Sequence, residues 1–190
     1  VYKRQLGYGL FFLKILKKDL SSNNFGYVGL FGLYVLLIYS YLSNFIIAHS
    51  ELHNFLLLIA GIFLFIFIIL KNYIGYKKEI LLSFLVFILI SSSLFLYKNH
   101  DDFFYYHFPY TLSLVEQKKI IGLGHLEHGF RTPSSIFYLN SLFYLPLAKL
   151  SLINLGAIYY MGFSNIFFLE KIFFYLKEKK TNILLFLSLA

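Results

Sequence analysis

The 190-residue sequence contains no cysteine and no tryptophan, has three prolines and one methionine, and is only 14% charged. Without cysteine there can be no disulfide framework, no thiolate zinc site and no Cys nucleophile, so any metal would rest on histidines and carboxylates. With 3 Pro and 12 Gly against 24 Phe and 17 Tyr, a collagen-like or disordered chain is excluded. Charge is also scarce beside the roughly 25% of an ordinary soluble domain.

What fills the space is apolar. Hydrophobic residues make up 59% of the chain, and the mean hydropathy is +0.71. Both place it among integral membrane proteins. Runs long enough to cross about 30 Å of hydrocarbon extend over Phe25–Ile47, Phe55–Leu70, Ile80–Tyr97 and Leu152–Leu176. Another apolar run begins at Ile183 and reaches Ala190, shorter than a span, so the sequence is expected to be a fragment of a longer protein. The expected fold is all-α: a polytopic transmembrane helical bundle of four complete spans and a truncated fifth, with short interfacial helices in an outer loop. Residues 1–190 then form part of one integral-membrane domain. Gly26, Gly29 and Gly32 recur at every third position, a spacing that suits close helix packing.

The net charge of +8 does not point to nucleic acid, because the basic residues cluster between apolar runs, where they set topology. Lys3, Arg4, Lys14, Lys17 and Lys18 precede the first span, Lys71, Lys77 and Lys78 follow the second, and Lys177, Lys179 and Lys180 follow the fourth. These segments are expected on the cytoplasmic side, with residues 48–54 and 98–151 facing outward. Residues 1–24 would be cytoplasmic or interfacial, with Leu6–Leu20 a helix lying on the membrane surface. Residues 25–97 would hold three spans, 152–176 the fourth, 177–182 a cytoplasmic link and 183–190 the truncated span. The expected location is the bacterial cytoplasmic (inner) membrane.

All six histidines fall in the outward segments, and polar chemistry concentrates in Lys98–Pro133. Asp101 and Asp102 follow an apolar run directly, so they belong at the membrane boundary, either capping a short helix from Phe103 or facing a substrate. Pro109 suits the first position of a helix running to Lys119. Gly122-Leu123-Gly124 breaks that helix and, with no strand before it, is no dinucleotide fingerprint. Thr132 and Pro133 read as the cap and first turn of a helix Ser134–Ala148, which would place Arg131 beside free N–H groups as an anion or phosphate site, or simply against lipid headgroups. His125-Leu126-Glu127-His128, with His100, Asp101, Asp102 and His107, contains metal-ligating residue types but matches no strong metal motif. No metal ligand is assigned, no cofactor is certain, and a divalent ion is left open.

The string Asp102-Phe-Phe-Tyr-Tyr106-His107-Phe-Pro109, followed by Gly122-Leu123-Gly124-x-Leu126 and Ser134-Ser135-x-Phe137-x-Leu139, resembles a bacterial family of polytopic membrane proteins related to the GT-C glycosyltransferases. The likeness covers the stretch from Asp102 to Leu139 and departs from the family pattern in its basic residue, which is Arg131 here whereas position 129 is Gly129. It implies a transferase that takes a sugar from a polyprenyl-phosphate donor at the outer face of the membrane and passes it to an unknown acceptor. On that reading Asp102, with Asp101 beside it, is the candidate general base, and His107 orients it or shares the proton. Arg131, Tyr105, Tyr106, His125 and His128 are the candidate phosphate- and substrate-binding residues. The fragment alone is expected to be inactive. Two other readings stand beside this one: a non-catalytic membrane subunit or transporter part, and a His/Asp metal-dependent membrane hydrolase.

Overall fold

The computed structural model describes residues 1–17, 24–71, 73–92, 101–126, 128–131 and 133–178. Among them are eight α-helices and no strand: α1 (Tyr2–Ile15), α2 (Phe25–Asn44), α3 (Glu51–Leu70), α4 (Tyr73–Ser91), α5 (His107–Glu116), α6 (Leu123–Leu126), α7 (Ser135–Ser141) and α8 (Leu155–Glu178). Short 3-10 turns at Asp101–Phe103, His128–Phe130 and Lys149–Leu152 link the later helices. The Asn24 side chain accepts the Tyr27 N–H at 2.6 Å to start α2, and Ser50 accepts the His53 N–H at 3.4 Å to start α3. Each of these helices has 20 residues, a length of about 30 Å, which matches the hydrocarbon core.

Among the described residues three stretches are long and apolar enough to cross a membrane: Phe25–Asn44, Glu51–Leu70 and Lys149–Leu176. The expected span Ile80–Tyr97 differs. Helix α4 starts earlier, at Tyr73, and so takes Lys77, Lys78 and Glu79 into its own length. Residues 93–97, and the truncated run from Ile183, lie outside the described residues.

Helix α1 corrects the surface-helix expectation. Leu6, Leu10 and Leu13 are buried at helical spacing, and Gly7 and Gly9 let its backbone approach α3 and α2 closely. A Cβ at Gly7 would collide with the Gly61 carbonyl, and one at Gly9 with that of Val28. The helix is therefore wedged into the bundle with two faces covered. Arg4, counted above among the cytoplasmic charges, is fully buried. Its Nη1 donates to the Leu142 carbonyl at 2.9 Å, and its guanidinium carbon lies 4.6 Å from the Phe143 ring centre. The three glycines of α2 are packing positions: Gly26 and Gly29 lie against Phe167 and Phe163 of α8, and Gly32 against the Gln5 backbone.

The two ends of the bundle differ. At one, Phe25 meets Phe65 and Tyr76, with ring centres 6.4 and 5.5 Å apart. At the other, the α2–α3 connection joins the long loop: His49 N–H donates to Leu114 O at 2.9 Å, Lys119 N–H to Asn44 O at 2.8 Å, and Lys149 pairs with Glu51 at 3.6 Å. Residues 48–54 and the 107–149 segment thus share one end. Single cysteines at positions 75 and 125 test which end faces out. An impermeant thiol reagent should label position 125 in intact cells and position 75 only after permeabilisation; the reverse pattern would invert the orientation.

Both loop helices are shorter than expected. Helix α5 begins at His107, so Pro109 is its third residue, still within the first turn where no intrahelical acceptor is needed. It ends at Glu116, because Gln117 is extended at φ −146°. Helix α7 is capped by Ser134, whose side chain accepts the Ile136 N–H at 3.4 Å, so Pro133 precedes the helix; Thr132 lies outside the described residues. It stops at Ser141, ahead of Pro146 and of Leu147 and Lys149 in left-handed backbone (φ 68° and 37°). Every residue from Phe137 to Phe143 is buried in protein.

Candidate functional site

Helix α5 separates two cavities. His107, Phe108 and Thr111 line one and Tyr110 the other. Tyr110 is buried, packs on Phe130 at 5.4 Å and Phe137 at 5.8 Å, and shares a 2.9 Å hydroxyl contact with Tyr138. Burial pushes both phenols up, so both are neutral.

The larger cavity, about 800 Å³, is lined by Phe45, Tyr110, Phe130 and the 119–125 turn, with Lys119, His125 and Arg131 in its wall. Arg131 is held by its Nε donating to Gly124 O at 3.2 Å. A side chain at Gly124 would press on the Arg131 Cα at 3.1 Å, so the close approach needs glycine there. Lys119 was not singled out from the sequence. Its ammonium lies 4.8 Å from the Phe45 ring centre and 5.2 Å from that of Tyr138, where aromatic faces hold a cation. Gly122, at φ 88°, turns the chain so that His125 N–H reaches Gly122 O at 2.9 Å. Gly122→Ala should cost about 1 kcal/mol locally. Limited proteolysis within 117–131 should accelerate while the global unfolding midpoint barely moves; unchanged cleavage would show that the turn is not strained.

The smaller cavity, about 250 Å³, is lined by Phe103, His107, Phe108, Asn140 and Asn154 among others. Asp102 lies next to it. The Tyr106 hydroxyl donates to Asp102 Oδ2 at 3.5 Å, and the Tyr106 N–H to the Asp102 carbonyl at 3.2 Å. Asp101 opens the 3-10 turn. No α-helix starts at Phe103, so the expected carboxylate cap of such a helix is not found; α5 begins at His107, and the side chain of its N-cap residue Tyr106 does not cap it. The His107 ring meets Tyr106 edge-on at 4.4 Å and lies 4.9 Å from Phe137. Tyr105 and His128 are exposed and line neither cavity.

The residues read together from the sequence are thus divided. Arg131 and His125 share the larger cavity, whereas His107 lines the smaller with Asp102 and Tyr106 beside it. Among the described residues no three His, Asp or Glu side chains gather as a metal site; His100 and Glu127, two of the metal-ligating residue types noted in the sequence, lie outside the described residues.

Two other histidines, His49 and His53, form a buried network that the sequence did not reveal. The Ser141 hydroxyl donates to Tyr138 O at 2.8 Å, so His49 Nδ1–H must donate to Ser141 Oγ at 2.7 Å, leaving Nε2 to accept from Ser43 Oγ at 2.9 Å. By the same logic, the Asn54 Nδ2 amide donates to three carbonyls, so His53 Nδ1–H donates to Asn54 Oδ1 at 3.0 Å and Nε2 accepts from Tyr39 at 2.7 Å. Burial, and secondarily the neighbouring His53, push His49 down to about 3. His49 is therefore neutral in the folded protein and protonated in the unfolded chain below about pH 6.5. Its contribution is complete above that pH and is lost as pH falls toward 3, by up to about 1.4 kcal/mol per unit. Unfolding midpoints measured from roughly pH 7.5 to 4.5 should drop more steeply for the wild type than for His49→Gln; parallel slopes would remove His49 from the account.

The chain gives no significant match to a family model, to a curated protein or to a solved structure.

Proposed function

We propose that this protein acts as a GT-C-like glycosyltransferase at the outer face of the bacterial cytoplasmic membrane, moving a sugar from a polyprenyl-phosphate donor to an acceptor hydroxyl. The observation that carries the reading is the larger cavity: Lys119 and Arg131 stand in its wall, while Phe45, Ile46, Ile120 and Ile121 present exposed apolar surface beside it. A lipid-linked phosphate needs both, cations for its headgroup and apolar surface for its chain.

In the reaction, the acceptor oxygen attacks the anomeric carbon as Asp102 takes its proton, and the bond from that carbon to the phosphate oxygen breaks. The departing phosphate gains charge, so cations fixed beside it stabilise the transition state more than the bound donor. Tyr106 holds the Asp102 carboxylate through its hydroxyl, and His107 orients the acceptor side. On this reading the sugar extends from the phosphate toward Asp102, past Tyr106, which packs against Gly129.

The test is transfer of labelled sugar from a polyprenyl-phosphate donor in membranes containing the intact protein. Arg131→Gln and Lys119→Gln should each reduce transfer at least tenfold, about 1.4 kcal/mol. Transfer unaffected by both would detach the cavity from the reaction. A second reading, a non-catalytic subunit or transporter part, draws on Arg4, a fully buried cation between helices of a membrane bundle.

A further inference from the structure

The smaller cavity differs in chemistry from its neighbour. Among the described residues no lysine or arginine lines it; its polar groups are amides, hydroxyls and the His107 imidazole, set between aromatic side chains. At about 250 Å³ it lies below the range of drug-sized ligands, roughly 300–1,000 Å³, and suits a single six-membered ring.

Asn140 decides what kind of ring. It is 8% exposed and lines the cavity. Its Oδ1 accepts the Gly156 N–H at 3.1 Å, which fixes the carbonyl end of the amide and leaves Nδ2 at the other. Nδ2 makes no hydrogen bond among the described residues, which leaves a donor at the cavity wall. A side chain at Gly156 would strike the Asn140 oxygen and approach Ile136 at 3.0 Å, so the amide has little room to turn over. Thr111 already donates its hydroxyl proton to His107 O at 2.8 Å, so it presents an acceptor. One fixed donor, nearby acceptors, aromatic walls and no lysine or arginine among the described residues suit neither a phosphate nor a plain hydrocarbon, because either would leave a polar or charged group unmatched.

We propose that this cavity is a binding site for a neutral, hydroxyl-bearing ring of monosaccharide size, with Asn140 Nδ2 donating to one hydroxyl and the rings of Phe103 and Phe137 covering the apolar faces. It deepens the transferase reading, on which it rests for its role, by assigning the sugar a cavity separate from the phosphate. Binding is measured without turnover, so the two can fail independently.

The experiment is saturation-transfer NMR on the purified full chain in lipid nanodiscs, using methyl glucopyranoside, methyl galactopyranoside and methyl mannopyranoside, with cyclohexanol as the apolar control. Ring protons of at least one glycoside should receive saturation, and the signal should fall about tenfold, near 1.4 kcal/mol, in Ala157→Phe, which fills the cavity wall. Asn140→Asp, which keeps the acceptor for Gly156 and removes the donor, should reduce it similarly. Arg131→Gln should leave it intact. No saturation of any glycoside, equal saturation of cyclohexanol, or signal undiminished in both cavity variants overturns the proposal; if Ala157→Phe fails to fold, Asn140→Asp decides alone. Glycoside binding with no sugar transfer in membranes would keep this site and remove the transferase.

Discussion

Asp102→Asn should lower sugar transfer by roughly 10²–10⁴-fold in the intact protein, the usual contribution of a general base. Asparagine keeps the size and can still accept the Tyr106 hydroxyl bond, found at 3.5 Å, so the loss would come from the missing basic oxygen. Asp101→Asn should cost far less, since the contact with Tyr106 belongs to its neighbour. Tyr106→Phe gives an intermediate case: the carboxylate stays but loses an orienting partner, and turnover should fall several-fold with a shifted pH profile. The measurement is initial transfer rate in membranes with matched amounts of folded protein. Equal, small effects from Asp101→Asn and Asp102→Asn would exclude Asp102 as base and leave a structural loop in its place.

The largest stability effect is expected at Asn54. Its amide nitrogen lies 2.7, 2.8 and 2.9 Å from the carbonyls of His49, Ser141 and Tyr144, and its oxygen accepts from His53. It therefore ties α3 to the α2–α3 connection and to the end of α7 at once. Leucine fills similar space but leaves several buried polar groups without partners. At about 1 kcal/mol or more for each such group, Asn54→Leu should cost about 3–4 kcal/mol, well beyond the ~0.6 kcal/mol average of a single interhelical bond in a membrane. Reversible unfolding in mixed micelles would measure it, with Leu52→Ala, an exposed neighbour, as the control. A loss under about 1 kcal/mol would mean that water or relaxed backbone satisfies those carbonyls.

The glycines show how far local pattern reaches. The spacing of Gly26, Gly29 and Gly32 was enough to expect close packing, because a missing side chain has one obvious use on an apolar helix. It could not say that the first two face α8 while Gly32 faces α1. Likewise, Pro109 and Ser134 marked where short helices begin to within a few residues, but their ends depended on Gln117 turning extended and on the kink around Pro146.

The sequence by itself determined the apolar character, the helical class, the first two long apolar helices to within a few residues, and the concentration of polar residues in one loop. These follow from hydropathy and charge clustering, which are properties of neighbouring residues. Only the tertiary structure decided that Arg4 is buried rather than facing the cytoplasm, because its partner Leu142 lies 138 positions away. The same holds for the separation of Arg131 from His107, since α5 can divide them only once both of its flanks are packed, and for the neutrality of His49, held by Ser43 and Ser141 from different helices. The physical reason is common to all three: a charge or donor is assigned its role by the desolvation and the partners that folding brings to it, and those partners are distant in the chain.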